Sequence, residues 1–174
     1  MHPRPCLDSP PAPGHEGEIS YERVEVVMLI GLDPVLTPEL LQYLRAMGHG
    51  DEIVIADGSF PAATVAKRLV RLDGIGLRRV LRAIFAVLPI DESEPDPVLG
   101  MEVIGAPDER VAMHAEIAHA LAQTASNAEL RLLERHAFYR RAEQAFAVVA
   151  TGETGFYGNV IVRKGTIETP VDMS

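Results

Sequence analysis

The chain has 174 residues, 47% of them hydrophobic and 24% charged, with a net charge of −9. That length and balance suit one domain with an adequate core, and the acidic excess argues against nucleic acid as a partner, which would need a basic face. The one cysteine, Cys6, excludes a disulfide framework or a cysteine-rich metal site and fits a reducing, cytoplasmic setting. No apolar run approaches the roughly 20 residues of a membrane span, and the N-terminus lacks a secretory pattern, so no membrane partner is expected.

Residues 1–27 carry Pro3, Pro5, Pro10, Pro11 and Pro13 with Gly14 and Gly17 and read as a disordered extension. Either Met28 is the true start or these residues are a real tail; residues 28–174 then form a single domain. Thr37-Pro38-Glu39 predicts a helix start, with Thr37 as N-cap, proline at the first helical position and an acid in the first turn. Leu40, Leu41, Leu44 and Met47 continue it as an apolar stripe, and Gly48 suits the C-cap. Ile53-Val54-Ile55-Ala56 is a continuous apolar run, typical of a strand covered on both faces.

Further along, the pattern predicts a short helix over 60–68, a strand over 69–72 and a helix over 75–88. An acidic, proline-bearing loop over 91–97 leads into a strand over 98–104 and a long helix from Pro107 to about residue 124. A strand over 129–133, a helix over 135–144, a strand over 146–150, a turn over 151–155 and a strand over 159–163 complete the chain. The last two strands look like an antiparallel or closely paired end to the sheet. Strands alternating with helices argue for an α/β fold, a layered α/β/α domain around a mixed sheet of about six strands.

Four places could carry chemistry. His49 lies between Gly48 and Gly50 on sharply bent backbone; it is either a surface turn histidine or a group that exchanges protons at neutral pH. Asp57 ends an apolar strand, where ligands collect in α/β sheets, though an aspartate there also starts turns by itself. Arg135 and Tyr139 are four apart on one helix face; they are either a helix-surface arginine beside a core tyrosine or, with the arginine directly after a strand, a donor to hydroxyls or a carboxylate. Tyr157 and Asn159, two apart on an expected extended stretch, face one way, with Gly158 between them allowing close approach of a ligand, unless the segment is simply a hairpin turn.

Metal sites look unlike this chain. His114 and His119 are five apart rather than four, do not share a face and read as solvated helix residues. Gly74-Ile75-Gly76 lacks a third glycine, the stretch from Gly152 to Gly158 lacks a lysine for phosphates, and no serine sits in a nucleophile elbow. A metal-free, cofactor-free acid–base site remains.

Taken together, Met47-Gly48-His49-Gly50-Asp51-Glu52, Asp57, Phe60-Pro61-Ala62, Arg135-His136-Ala137-Phe138-Tyr139, and Thr151-Gly152-Glu153 leading into Tyr157-Gly158-Asn159 resemble the L-fucose mutarotase and D-ribose pyranase family. The order and spacing hold from about Met28 to Gly165. Arg135, Gly50 and the Phe60-Pro61-Ala62 run make the chain more similar to the fucose mutarotase branch, while Ser59 and His136 depart from it. The resemblance implies a cofactor-independent isomerase that interconverts the α and β anomers of L-fucose or a similar monosaccharide. It implies His49 as catalytic proton donor, and Asp57, Arg135 and the Tyr157-Gly158-Asn159 segment as the sugar-holding set, to which the shared helix face adds Tyr139. It also implies a ring-type homo-oligomer, a decamer, with sites at subunit interfaces. The alternatives are a D-ribose-type pyranase and a non-catalytic sugar-binding subunit.

Opening a pyranose needs one proton delivered to the ring oxygen and one removed from the anomeric hydroxyl. His49 can perform one half, worth about 10²–10⁴-fold; Tyr157 or a bound water performs the other. Eight extended steps from His49 to Asp57 would span about 26 Å at roughly 3.3 Å each. Either the Gly48–Asp51 turn curls back strongly, or the site takes His49 from one subunit and its other residues from a neighbour.

Overall fold

The computed structural model describes residues 29–167; the extension expected over residues 1–27 lies outside that range. Five helices and six strands follow in the order α1 (Pro38–Ala46), β1 (Glu52–Ala56), α2 (Ala62–Val65), β2 (Leu69–Leu72), α3 (Leu77–Phe85), β3 (Val98–Met101), α4 (Ala112–Leu121), β4 (Leu130–Leu133), α5 (Arg135–Ala142), β5 (Ala147–Thr151) and β6 (Val160–Arg163). The strands form one mixed sheet in the order β2-β5-β1-β6-β3-β4. β2, β5 and β1 are mutually parallel, β3 and β4 are parallel, and β6 runs antiparallel between β1 and β3.

Side chains alternate across this sheet, so successive residues of one strand reach two cores. Ile53, Ile55, Val149, Val160 and Val162 face α1, α3 and α4 through Leu40, Leu81, Ile84 and Ile117. Val54, Ala56, Val148 and Ile161 face α2 and α5 through Ala62, Phe138 and Ala142. This is the expected α/β/α layering, and it explains the unbroken apolar runs of β1, β5 and β6: both faces are covered.

The pairing of the last two strands differs from the expectation. β5 and β6 do not touch as neighbours; β1 lies between them. The segment from 152 to 159 is longer than the two to five residues of a usual hairpin loop, and it crosses the carboxyl end of β1, where the Gly58 N–H donates to the Glu153 carbonyl at 2.8 Å. β6 is therefore central, in keeping with its wholly buried Val160-Ile161-Val162.

Helix boundaries also differ: α2, α3 and α5 are shorter than the expected 60–68, 75–88 and 135–144. α4 begins at Ala112 rather than at Pro107, because Gly105, at φ +73°, and a Val103–Ala106 bridge close a tight turn first. The Thr37 cap is as expected, accepting from the Leu40 N–H at 3.2 Å. At the other end of α1 no left-handed glycine cap forms. Met47 is the C-cap, and the Lys164 ammonium donates to the Leu44 and Met47 carbonyls at 2.8 and 2.6 Å. A cation thus satisfies the open carbonyls where the helix dipole is negative.

Candidate functional site

The carboxyl ends of β1, β3 and β4 and the start of β6 meet at one edge of the sheet. A cleft of about 390 Å³ opens there, lined by Asp57, Ser59, Phe60, Met101, Ile104, Arg135, Tyr139, Phe156, Tyr157 and Asn159. Small-molecule sites usually fall at about 300–1,000 Å³, and strand ends are where α/β sheets place them.

Its polar floor is a reciprocal pair. The Asn159 amide Nδ2 donates to Asp57 Oδ2 at 2.8 Å, while the Asp57 peptide N–H donates to Asn159 Oδ1 at 3.1 Å. The Ser59 N–H donates to Asp57 Oδ1 at 2.9 Å. Both side chains are buried, so each is held in one orientation by partners that water does not replace. Gly158 packs behind them: a Cβ there would come within 3.3 Å of the Asp57 Cβ.

Arg135 is the first residue of α5, after Glu134, whose carboxylate caps the helix by accepting from the His136 and Ala137 N–H groups. Its guanidinium carbon lies 5.7 Å from the centre of the Tyr139 ring, as the four-residue spacing implied. Among the described residues, Arg135 Nε is the buried side-chain donor without a hydrogen-bond partner. Such a donor costs free energy unless something accepts from it. Tyr139 stacks on Phe60 at 5.5 Å, and Phe60 meets Phe138 edge to face at 6.2 Å. The cleft therefore combines hydrogen-bonding groups with aromatic rings.

Tyr157 differs in backbone from the expectation. It is not extended but sits at φ +66°, an uncommon position for a side chain of its size. Its hydroxyl accepts from the Ile104 N–H at 3.3 Å, which leaves its own hydrogen free to donate. Glu153 holds this turn in place: one carboxylate oxygen accepts from the Thr154 and Gly155 N–H groups at 2.9 Å each, and the other from the Leu77 N–H at 3.3 Å.

His114 is a correction. It is 2% exposed rather than solvated, with Nε2 2.9 Å from the Met101 carbonyl and the Val111 N–H donating to Nδ1 at 3.3 Å. That pattern makes Nε2 the protonated nitrogen of a neutral ring, and burial pushes its pKa down. The ring centre is 6.2 Å from that of Tyr157, so His114 braces the wall of the cleft. The spacing argument placed His114 and His119 correctly on different faces, but one of those faces, with Ile117 and Leu121, is the core. His119 is exposed. Among the described residues no three His, Cys, Asp or Glu side chains converge as a metal site would need.

His49 does not line this cleft. It stands at the amino end of β1, while Asp57 stands at the carboxyl end; the four steps along the five residues of β1 alone put about 13 Å between the two ends. The turn bearing His49 is pinned by the Gly48 N–H on Asp51 Oδ2 at 2.8 Å and the Gly50 N–H on the Lys164 carbonyl at 2.8 Å, with Gly50 at φ +82°. The imidazole itself is half-exposed, with Nε2 3.1 Å from Asp91 Oδ2. Asp91 does not stand out in the sequence, where it is one acid of an acidic loop.

Asp91 is buried yet ionised. Its pKa is lowered from 3.8 to about 2. The Ser93 hydroxyl contributes most, burial opposes, and the Ser93 N–H, Arg163 and His49 add to the lowering. A carboxyl with a folded pKa below its unfolded value stabilises the fold above the unfolded value, and that stabilisation is lost as pH falls towards the folded one. The melting temperature of the wild-type chain should therefore drop between about pH 4 and pH 2 more steeply than that of Asp91→Asn, as followed by circular dichroism.

Comparison with known proteins adds three findings. The profile of the RbsD / FucU transport protein family matches residues 30–167. The fucose mutarotase of Homo sapiens is 42% identical over 148 residues, 82% of this chain and 96% of that protein, and the L-fucose mutarotase of Histophilus somni (strain 2336) is 39% identical over 145 residues, 83% and 99% of the two. The crystal structure of the fucose mutarotase in complex with L-fucose from Streptococcus pneumoniae aligns with a TM-score of 0.75 at 33% identity, covering 80% of this chain and 100% of that one.

Proposed function

The chain belongs to the RbsD / FucU transport protein family, and on that premise we propose that it is a cofactor-independent mutarotase, an isomerase that interconverts the α and β anomers of L-fucose or a closely similar monosaccharide. The observation that carries this reading is the composition of the cleft. An unpartnered Arg135 donor, the Asp57–Asn159 pair and the Tyr157 hydroxyl line one cleft together with the rings of Tyr139 and Phe60. A pyranose has matching chemistry, with hydroxyls around its rim and C–H groups on its faces.

The reaction needs only proton transfers. A base removes the anomeric O–H proton, the electron pair forms the carbonyl, the C1–O5 bond breaks, and an acid protonates O5. Rotation about C1–C2 presents the other carbonyl face, and the reverse steps close the ring as the other anomer. His49 performs one of these transfers and Tyr157, or a water it holds, the other; Asp57, Arg135, Tyr139, Gly158 and Asn159 fix the sugar. The positioned transfers and the fixed geometry are what an active site adds to a reaction that water already supports.

His49 and the cleft stand at opposite ends of β1, which favours a site completed between subunits with His49 supplied by a neighbour; the ring-type homo-oligomer, a decamer, is what the family resemblance implies. A cytoplasmic place of action suits a chain with a single cysteine.

Saturation-transfer NMR tests the activity directly: exchange between the α and β signals of L-fucose should accelerate with added protein. Exchange between pyranose and furanose signals of D-ribose, with none for fucose, would favour a pyranase instead, and sugar binding without faster exchange would overturn catalysis. The shared site has its own test. Mixed and reassembled His49→Ala and Asp57→Ala subunits, each inactive alone, should recover about a quarter of wild-type activity, because a site made of one residue from each neighbour is intact in that fraction of random pairings. No recovery would place both residues in one subunit's site.

A further inference from the structure

The end of the sheet away from the cleft holds a second organised cluster. The carboxylate of Asp91 is 2% exposed and every oxygen is engaged. Oδ1 accepts from the Ser93 N–H at 3.0 Å and from the Ser93 hydroxyl at 2.6 Å. Oδ2 accepts from Arg163 Nε at 3.0 Å and lies 3.1 Å from His49 Nε2. The backbone closes the same knot, since the Asp91 N–H donates to the Arg163 carbonyl at 3.1 Å. Gly50 leaves room for it: a Cβ there would stand 3.1 Å from Arg163 Nη2.

We propose that Asp91, fixed by Ser93 and Arg163, is the positioning residue of His49: it takes the Nε2 side of the imidazole and leaves Nδ1 as the nitrogen that exchanges a proton with the sugar. The inference rests on the proposed mutarotase reading, in which His49 is the acid–base group. A carboxylate that already accepts from Arg163 and Ser93 is an acceptor only, so the hydrogen in the His49–Asp91 contact is on Nε2. In the neutral ring Nδ1 then carries the lone pair and can take a proton; in the charged ring it carries the hydrogen it can give. The half-exposed ring would otherwise rotate freely and populate both tautomers, and catalysis would be lost in proportion.

The other charged groups of the neighbourhood are already committed. The Asp51 carboxylate accepts from the Gly48 N–H, and the Lys164 ammonium is held by the Leu44 and Met47 carbonyls. Asp91 is thus the acidic partner that the described structure gives to His49.

Asp91→Asn tests this. In the full-length protein, exchange of L-fucose anomers should show kcat lowered by about ten- to hundredfold, within the range a positioned proton transfer contributes, with KM within about twofold of wild type. In a His49→Ala background the same substitution should lower the residual rate no further, since Asp91 acts through His49. A kcat within twofold of wild type, a loss carried mainly in KM, or an equal further loss in the His49→Ala background would each overturn the proposal. If Asp91→Asn does not fold, Ser93→Ala decides: a severalfold fall in kcat at unchanged KM supports it, and unchanged activity overturns it. A wild-type protein that accelerates neither fucose nor ribose exchange would bring down the mutarotase reading and this inference together. An active wild type with an inactive His49→Ala and a fully active Asp91→Asn would remove this inference alone.

Discussion

His49→Ala is expected to slow anomer exchange of L-fucose by about 10²–10⁴-fold, the usual contribution of one positioned acid–base group, while the protein folds and binds sugar as before. The side chain is 52% exposed, stands on a turn whose backbone bonds do not involve its ring, and leaves Asp91 with Arg163 and both Ser93 donors when removed. Exposed substitutions of this kind usually change stability by less than about 0.5 kcal/mol. Saturation-transfer NMR with a melting curve on the same sample separates the two effects. A variant that keeps exchange near the wild-type rate would sink the assignment of His49 as the proton carrier.

The second large effect is at Asp57, where even the isosteric change to asparagine should fail. Asp57 accepts on both oxygens, from the Ser59 N–H and from the Asn159 amide, while Asn159 accepts from the Asp57 N–H. An asparagine at position 57 has one acceptor oxygen. Turning it towards Ser59 leaves its NH₂ against that of Asn159, turning it towards Asn159 leaves its NH₂ against the Ser59 N–H, and flipping Asn159 only moves the donor–donor contact to the 57 N–H. One buried donor stays unsatisfied in every arrangement, at a cost of about 1–3 kcal/mol, or roughly 2–4 °C of melting temperature for each kcal/mol in a chain of this size. The same disorder loosens the floor of the cleft, so KM for the sugar should rise by an order of magnitude or more. An Asp57→Asn protein with wild-type melting temperature and KM would show that the pair neither holds the fold nor the ligand.

The two effects differ in kind because the two residues sit in different physical settings. In the proposed reaction His49, presented by a glycine-flanked turn, contributes reactivity, whereas Asp57 is built into the sheet end and contributes order. That division was partly legible in the amino-acid sequence. Glycines on both sides of His49 announced an exposed turn, and an aspartate directly after Ile53-Val54-Ile55-Ala56 announced a strand's carboxyl end. Arg135 and Tyr139 were paired correctly by their spacing, because i and i+4 on a helix are neighbours whatever surrounds them. The layering was legible for the same local reason: uninterrupted apolar runs require cover on both faces, and striped helices provide it.

What the sequence could not disclose depends on contacts between distant residues. The insertion of β1 between β5 and β6 is a matter of long-range pairing, and strand order is not encoded in the local period. The bond between Asp57 and Asn159 joins residues 102 apart, and that between His49 and Asp91 residues 42 apart. Neither pairing leaves a local trace. His114 was misread because periodicity says which residues share a face but not which face the core will cover. By itself, then, the sequence determined the alternation of elements, the family resemblance and the individual polar groups worth watching, since each of these follows from neighbours within a turn or a strand. Only the tertiary structure decided that Asp57, Arg135, Tyr139, Tyr157 and Asn159 share one cleft while His49 stands a strand's length away beside Asp91, because placing them required the sheet to be assembled.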